Sequence, residues 1–283
     1  MIPIALTIAG SDSGGGAGIQ ADLKTFSALG VYGASVITAL TAQNTKGVSA
    51  IHDPPPEFVT AQIDAVYSDL AVAATKIGML SQPATIEAVA AGLDRHRAKN
   101  VVLDPVMVAA SGDRLLAPAA EEALRKLLFP RALVVTPNLH ETAALLGVPV
   151  AANETEMLDQ AQRIVALGAK SVLIKGGHGT GAEAIDLFFD GKEVRRFVAR
   201  RVDTQSTHGT GCTLSSAIAA FLARGMHLFE AIALAKNYLT DALAAADQLS
   251  VGGGHGPVHH FHALWKRIPA EPPGGKDEKP QSS

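Results

Sequence analysis

Two glycine-rich stretches hold the residue types best suited to handling anions. Gly10-Ser11-Asp12-Ser13-Gly14-Gly15-Gly16-Ala17-Gly18 lies between a short apolar run at 2–9 and a segment with helical spacing at 17–29. Dense glycine lets backbone N–H groups come close to a ligand, and a helix start favours negative charge. The stretch lacks the GxxxxGK[ST] spacing of a P-loop and is too glycine-rich for a clean dinucleotide fingerprint. A flexible strand-to-helix turn accounts for it equally well. The second stretch, from Asp203 to Thr213, ends in Thr207-His208-Gly209-Thr210-Gly211-Cys212-Thr213 and runs directly into a helical pattern. Small residues at a helix start aim backbone donors at a phosphate, so Gly209, Thr210 and Gly211 form a candidate anion cradle. Cys212 falls in the first helical turn, where the helix field predicts a depressed thiol pKa. Its other reading is a small buried core residue.

A third group is dispersed. Asp104 follows an apolar run at 101–103, Asn138 and Glu141 follow one at 132–135, and Lys175 closes one at 171–175, just before Gly176-Gly177-His178-Gly179. Oxygen ligands at strand ends suit Mg²⁺, which keeps several waters and leans on substrate phosphates. A lysine at such an end suits a nucleotide phosphate. Singly, each of these reads as a helix cap or a solvated charge; together they have the pattern of an ATP site. His259, His260 and His262 have no acidic or thiol neighbour at ligand spacing, so packing or surface roles are expected for them rather than metal binding.

The elements that must position these groups alternate along the chain. Strand-like runs at 2–9, 34–42, 75–78, 100–103, 132–135 and 171–175 alternate with helical patterns at 17–29, 57–71, 84–96, 119–129, 139–146 and 154–167. Continuous apolar strands between amphipathic helices predict an α/β fold with a mostly parallel sheet covered on both faces. Runs at 184–190 and 194–199 flank Asp190-Gly191-Lys192 as a hairpin, and helices at 211–223 and 228–246 close the domain. One domain over 1–268 and a disordered tail over 269–283, rich in Pro, Gly and charge, are expected. In an open parallel sheet, ligands bind at the carboxyl ends of the strands, where the dispersed group falls.

The chain has 283 residues, 47% hydrophobic and 18% charged, with a formal net charge of −3. That charge implies no basic surface for nucleic acid or anionic membrane. The single cysteine excludes an internal disulfide. The opening shows no basic region ahead of an apolar stretch, and no apolar run approaches a membrane span, so a soluble cytoplasmic protein is expected.

Read in order, TIAGSDSGGGAGIQADLKT, TALTAQNTKGV, KIGML, LDPVMVAASGDRLL, TPNLHE, IKGGH, HGTGCTLSSAIAA and GPVHHFHALW span about residues 4 to 265. This series resembles the bacterial hydroxymethylpyrimidine/phosphomethylpyrimidine kinases. The resemblance implies a ribokinase-like, three-layer α/β/α fold. It also implies two successive phosphorylations by MgATP on the route to thiamine, first of 4-amino-5-hydroxymethyl-2-methylpyrimidine and then of its monophosphate. It further implies that Gln43 hydrogen-bonds the aminopyrimidine, that Asp22 and the backbone at Ala17 and Gly18 line its pocket, and that Gly10, Met79 and Val106 pack around the ring. Asp104 and Glu141 would organise Mg²⁺, with Asn138, Lys175, Thr207 and Thr210 serving ATP. Gly209 and Gly211 would form the anion hole, and Cys212 would stand at the base position, where ribokinase-like sugar kinases carry aspartate. The stretch Met107–Asp113 is similar to the family's flap, with Ala110 where lysine is common. Relatives are commonly homodimers.

Two rivals remain and a third fails. A pyridoxal kinase of the same superfamily also phosphorylates a hydroxymethyl group on an aromatic ring; Gln43 favours the pyrimidine, because an amide matches its donor–acceptor edge. A non-catalytic relative would have lost the helix-start cradle or the acidic positions, and both are present. A dinucleotide-binding dehydrogenase needs an acidic residue after the second strand, where Gln43 and Asn44 stand.

Overall fold

A computed structural model describes residues 2–107, 118–177 and 181–265. The flap stretch from 108 on, with Ala110, lies outside the described residues, as do His178, Gly179 and the 269–283 tail. The described chain runs β1 (Ile4–Asp12), α1 (Gly18–Ala28), β2 (Tyr32–Asn44), β3 (Gly47–His52), α2 (Pro56–Asp69), β4 (Val72–Ile77), α3 (Pro83–Arg95), β5 (Val101–Leu103) and α4 (Pro118–Ala123). It continues through β6 (Val134–Val135), α5 (Leu139–Leu146), α6 (Glu154–Ala166), β7 (Val172–Ile174), β8 (Glu183–Phe189), β9 (Val194–Arg200), α7 (Thr210–Ala223), α8 (Leu228–Ala244) and α9 (His262–Trp265).

One sheet takes the order β3-β2-β1-β4-β5-β6-β7-β8-β9. Pairings from β2 through β7 are parallel, and β3, β8 and β9 add antiparallel edges. The short strands β5, β6 and β7 are wholly apolar and buried, as strands covered on both faces must be. One core, built from Ile63, Ile86, Phe129 and Ile164 with the sheet, lies under α2, α3, α5 and α6. The other, around Phe26, Leu214, Ile218 and Ile232, lies under α1, α7 and α8. The expected three layers are therefore present.

The chain leaves β1 for β2 on one side and returns to β4 on the other, so the strand order reverses at β1. Such a switch point opens a crevice at the carboxyl ends of the strands. Backbone bonds extend the ladder past those ends. Gly78 N–H donates to Ile8 O (2.9 Å), Asp104 N–H to Ile77 O (2.8 Å), Thr136 N–H to Leu103 O (2.8 Å) and Lys175 N–H to Pro137 O (2.8 Å). The dispersed residues are thus held by the sheet itself.

Four departures from the sequence reading have physical causes. β1 does not end at Ala9 but continues to Asp12, with its register against β2 slipping between Ala9 and Gly10. β3, which the sequence reading lacked, pairs antiparallel with β2 around Thr45-Lys46; it is largely exposed and lacks the apolar pattern that marks a strand. The helix expected over 119–129 ends early. It widens into a π turn at Leu124–Leu128 and a 3₁₀ turn at Phe129–Arg131, since Pro130 has no N–H to continue the ladder. α8 ends at Ala244 and a 3₁₀ turn follows. No helix among the described residues is long and apolar enough to cross a membrane.

Candidate active site

Asp12 organises the first glycine-rich loop. Its Oδ1 accepts from Gly14 N–H (2.8 Å), and its Oδ2 from Gly16 N–H (3.0 Å), Ala17 N–H (2.8 Å) and His208 Nε2 (2.8 Å). Burial alone would raise this carboxyl, but the His208 and backbone hydrogen bonds and the His208 charge hold it below the usual carboxylate range. Ser13 clamps the backbone of Gln43, donating to its carbonyl (2.8 Å) and accepting from its N–H (2.9 Å).

His208 precedes the start of α7. There Gly209 takes a left-handed φ of 79° with no side-chain cap. A Cβ on Gly209 would stand 1.9 Å from the Gly16 carbonyl oxygen, so only glycine allows the two loops to touch. A Cβ on Gly211 would lie 3.2 Å from Lys175 Nζ and 3.5 Å from Asp104 Oδ2. The start of α7, the lysine and the carboxylate therefore meet at one point.

Lys175 Nζ binds Asp104 Oδ1 (2.7 Å) and lies 3.9 Å from Glu141 Oε2. Both carboxylates are buried, at 1% and 8% exposure. Burial pushes Glu141 up to about 7, the Asp104 charge adding to this and Lys175 and the Asn138 and Met107 N–H groups opposing it. Once Glu141 is ionised, two buried carboxylates against one ammonium leave surplus negative charge, which a divalent cation shared with phosphates would neutralise. The pair thus fits Mg²⁺ held partly through water. Asn138 and Glu141 also form a reciprocal capping box on α5. The cap reading and the site reading hold together.

These features put the glycine-rich start of α7, a lysine and paired carboxylates beside a second glycine loop. A family model described as phosphomethylpyrimidine kinase matches residues 12–259. The chain belongs to that family.

Its relatives span nearly its whole length. The hydroxymethylpyrimidine/phosphomethylpyrimidine kinase of Rhizobium meliloti (strain 1021) is 62% identical over 266 residues, covering 94% of this chain and 100% of the relative. The Escherichia coli (strain K12) protein of the same description is 54% identical over 261 residues, covering 92% and 98%. Among solved structures, the phosphomethylpyrimidine kinase of Clostridium difficile 630 superposes with a TM-score of 0.76 at 46% identity, covering 86% of this chain and 100% of that one. An ADP complex of Bacillus subtilis pyridoxal kinase gives 0.86 at 38% identity, covering 93% and 99%. The ribokinase-like fold expected from the resemblance is the fold observed.

In this phosphomethylpyrimidine kinase family member, the structure brings Gly10, Met79, Gln43, Asp104, Glu141, Asn138, Lys175 and 209–212 to one edge of the sheet. A Cβ on Gly10 would lie 3.2 Å from Met79 Sδ. Val106 follows Asp104 in a tight turn, its N–H on the Asp104 carbonyl (2.8 Å). Thr210 opens α7, and Thr207 is exposed beside it.

Three expectations need correction. Asp22 does not present its carboxylate to a pocket. It is fully buried, accepting from Lys76 Nζ (2.9 and 2.8 Å), Thr7 Oγ (2.6 Å) and Ser216 Oγ (2.5 Å). The backbone N–H of Ala17 is likewise taken up, by Asp12 Oδ2 (2.8 Å). Nor is the thiol depressed: burial pushes it up to about 11, the Asp22 and Asp104 charges adding and Lys76 and the Gly18 N–H opposing. Desolvation and two nearby carboxylates outweigh the helix field.

Sequence reasoning missed Asp12, His208 and Lys76 as organisers. Asp12 two residues before a glycine had a signal, that of a side chain folding back onto its own loop. A lysine inside the apolar strand Val72–Ile77 signalled a buried partner. His259, His260 and His262 are buried at the base of α7 and α8, where His260 Nε2 meets Thr213 Oγ (3.1 Å) and burial pushes His260 down to about 3.

Proposed function

We infer that this chain is an ATP-dependent kinase. It phosphorylates the alcohol of 4-amino-5-hydroxymethyl-2-methylpyrimidine and then the resulting monophosphate, giving the pyrophosphate used in thiamine diphosphate biosynthesis. The observation that carries this reading is the seam between the two glycine loops: Gly209 packs on Gly16, and His208 joins Asp12 beside Gln43. A ring held at Gln43 and a phosphate held at 209–212 therefore share one crevice.

In the first step the alcohol oxygen bonds to the γ-phosphorus of ATP, the bond to the bridging oxygen breaks, and ADP leaves. Gly209, Gly211 and Lys175 stabilise charge on the transferred group, with Asn138, Thr207 and Thr210 bordering ATP. Asp104 and Glu141 would hold Mg²⁺, which when bound neutralises phosphate charge. Cys212 takes the alcohol proton as thiolate. Its raised pKa leaves little thiolate at neutral pH, though that thiolate is a strong base; this chemistry tolerates the low population because phosphoryl transfer depends mainly on positioning and electrostatics. The second acceptor is already an anion and needs no base.

A mass-spectrometric time course with the pyrimidine alcohol and MgATP tests the reading. Monophosphate appearing first and pyrophosphate second is expected; no product, or ADP without either, contradicts it. A second activity on pyridoxal-type alcohols is favoured by the close superposition on a pyridoxal kinase, and comparing turnover of both alcohols decides its extent. A cytoplasmic homodimer is the accompanying expectation, its oligomeric state checked by light scattering.

A further inference from the structure

Gln43 lies between Thr41 and His208. With the amide turned so that Oε1 faces Thr41 Oγ (3.1 Å), its Nε2 faces His208 Nε2 (3.5 Å). Proton counting disfavours that orientation. The single hydroxyl proton of Thr41 goes to the Ser11 carbonyl (2.8 Å), and His208 Nε2 must carry a proton because it donates to the Asp12 carboxylate (2.8 Å). One end of the amide then has no donor, and the other sets donor against donor. A half-turn of the amide removes both conflicts: its NH₂ donates to the Thr41 oxygen, and its carbonyl oxygen faces the His208 N–H, which already donates to Asp12 and so attracts it at 3.5 Å without a second full hydrogen bond.

We propose that Thr41 and His208, themselves fixed by Ser11 and Asp12, lock the Gln43 amide with its oxygen toward His208 and so determine which way round the substrate ring binds. This rests on the kinase reading above. Each end of the locked amide keeps one unused valence, an N–H on the Thr41 side and a lone pair on the His208 side. A ring nitrogen therefore docks toward Thr41 and the exocyclic amine toward His208. The reacting hydroxymethyl group sits on the ring carbon next to the amine-bearing carbon. It consequently points to the His208 side, where Gly209 to Cys212 begin. A reversed amide would turn that group away from the cradle. Thr41 and His208 are positioning residues that act through Gln43.

The test compares kcat/KM for the aminopyrimidine alcohol with that for its 4-oxo analogue, which exchanges donor and acceptor along the gripped edge. Wild-type protein is expected to prefer the amine by about 100-fold or more, since the wrong edge leaves polar groups unpaired. Thr41→Val frees the amide and narrows that preference about tenfold, the worth of one hydrogen bond. The change appears in the pyrimidine KM, with the ATP KM unmoved, and Thr41→Ser restores the preference. Should the valine variant fail to fold, His208→Leu against His208→Gln reads the same ratio, because glutamine keeps a donor. Undiminished preference in the folded variants, an equal rise in the ATP KM, or no restoration by serine overturns the proposal. A wild-type enzyme inactive on the aminopyrimidine contradicts the kinase reading instead.

Discussion

Cys212 is partly exposed as a residue, yet its thiol is buried among the charges of Lys76, Asp22 and Asp104. With the thiol raised from 9.0 to about 11, its thiolate fraction at pH 7 is about 100-fold below that of an unperturbed thiol. Iodoacetamide labelling of the unliganded protein should therefore be slow at pH 7 and rise about tenfold per pH unit toward 11; fast labelling at neutral pH would show the helix field prevailing. Catalysis gives a second check. Cys212→Ala should slow the alcohol step by about 10²-fold, the lower end of general-base effects, while the phosphate step changes little. Equal loss in both steps counts against proton transfer. The place of Cys212 at a helix start was legible in the sequence. Its protonation was not, because Asp22, Lys76 and Asp104 reach it from distant elements. Asp22 misled for the same reason: its partner Lys76 lies 54 residues away.

At the scale of elements, the start of α7 and its far end carry glycines with different jobs. Gly209 supplies both a left-handed φ and the clearance for Gly16, whereas a Cβ on Gly225, at φ 86°, would meet nothing within 4 Å. Gly209→Ala should lower kcat by about 10²–10³-fold, in the range of losing one anion-hole donor. Gly225→Ala, with the same backbone strain and no clash, should lower only the melting temperature. Comparable activity in the two variants would mean that the contact between the loops is dispensable. The buried pair Lys76–Asp22 ties β4 to α1, and Ser216 adds α7. Lys76→Met should cost about 3–5 kcal/mol in chemical denaturation, because it strands a buried carboxylate, and Lys76→Met with Asp22→Leu should recover much of it. Strands and helices with strong periodicity were readable from sequence. β3 was not, being exposed and held by backbone pairing to β2, nor was the break before Pro130.

At the scale of the molecule, the reversal of strand order at β1 explains why residues as far apart as Asp12 and His208 meet. Alternating segments disclosed the layers and the edge where ligands bind, but not which loops adjoin across that edge. The seam between residues 10–18 and 209–212 follows from two glycines fitting against each other, a packing fact invisible in composition. The central claim is that this seam joins a ring pocket to a phosphoryl site. A crystal structure with the pyrimidine alcohol and a non-hydrolysable ATP analogue tests it most directly. The hydroxymethyl oxygen should lie about 3–3.5 Å from the γ-phosphorus, over Gly209 to Cys212, with the ring on Gln43. Ligands bound in separate clefts, or a ring that leaves Gln43 untouched, would contradict the account.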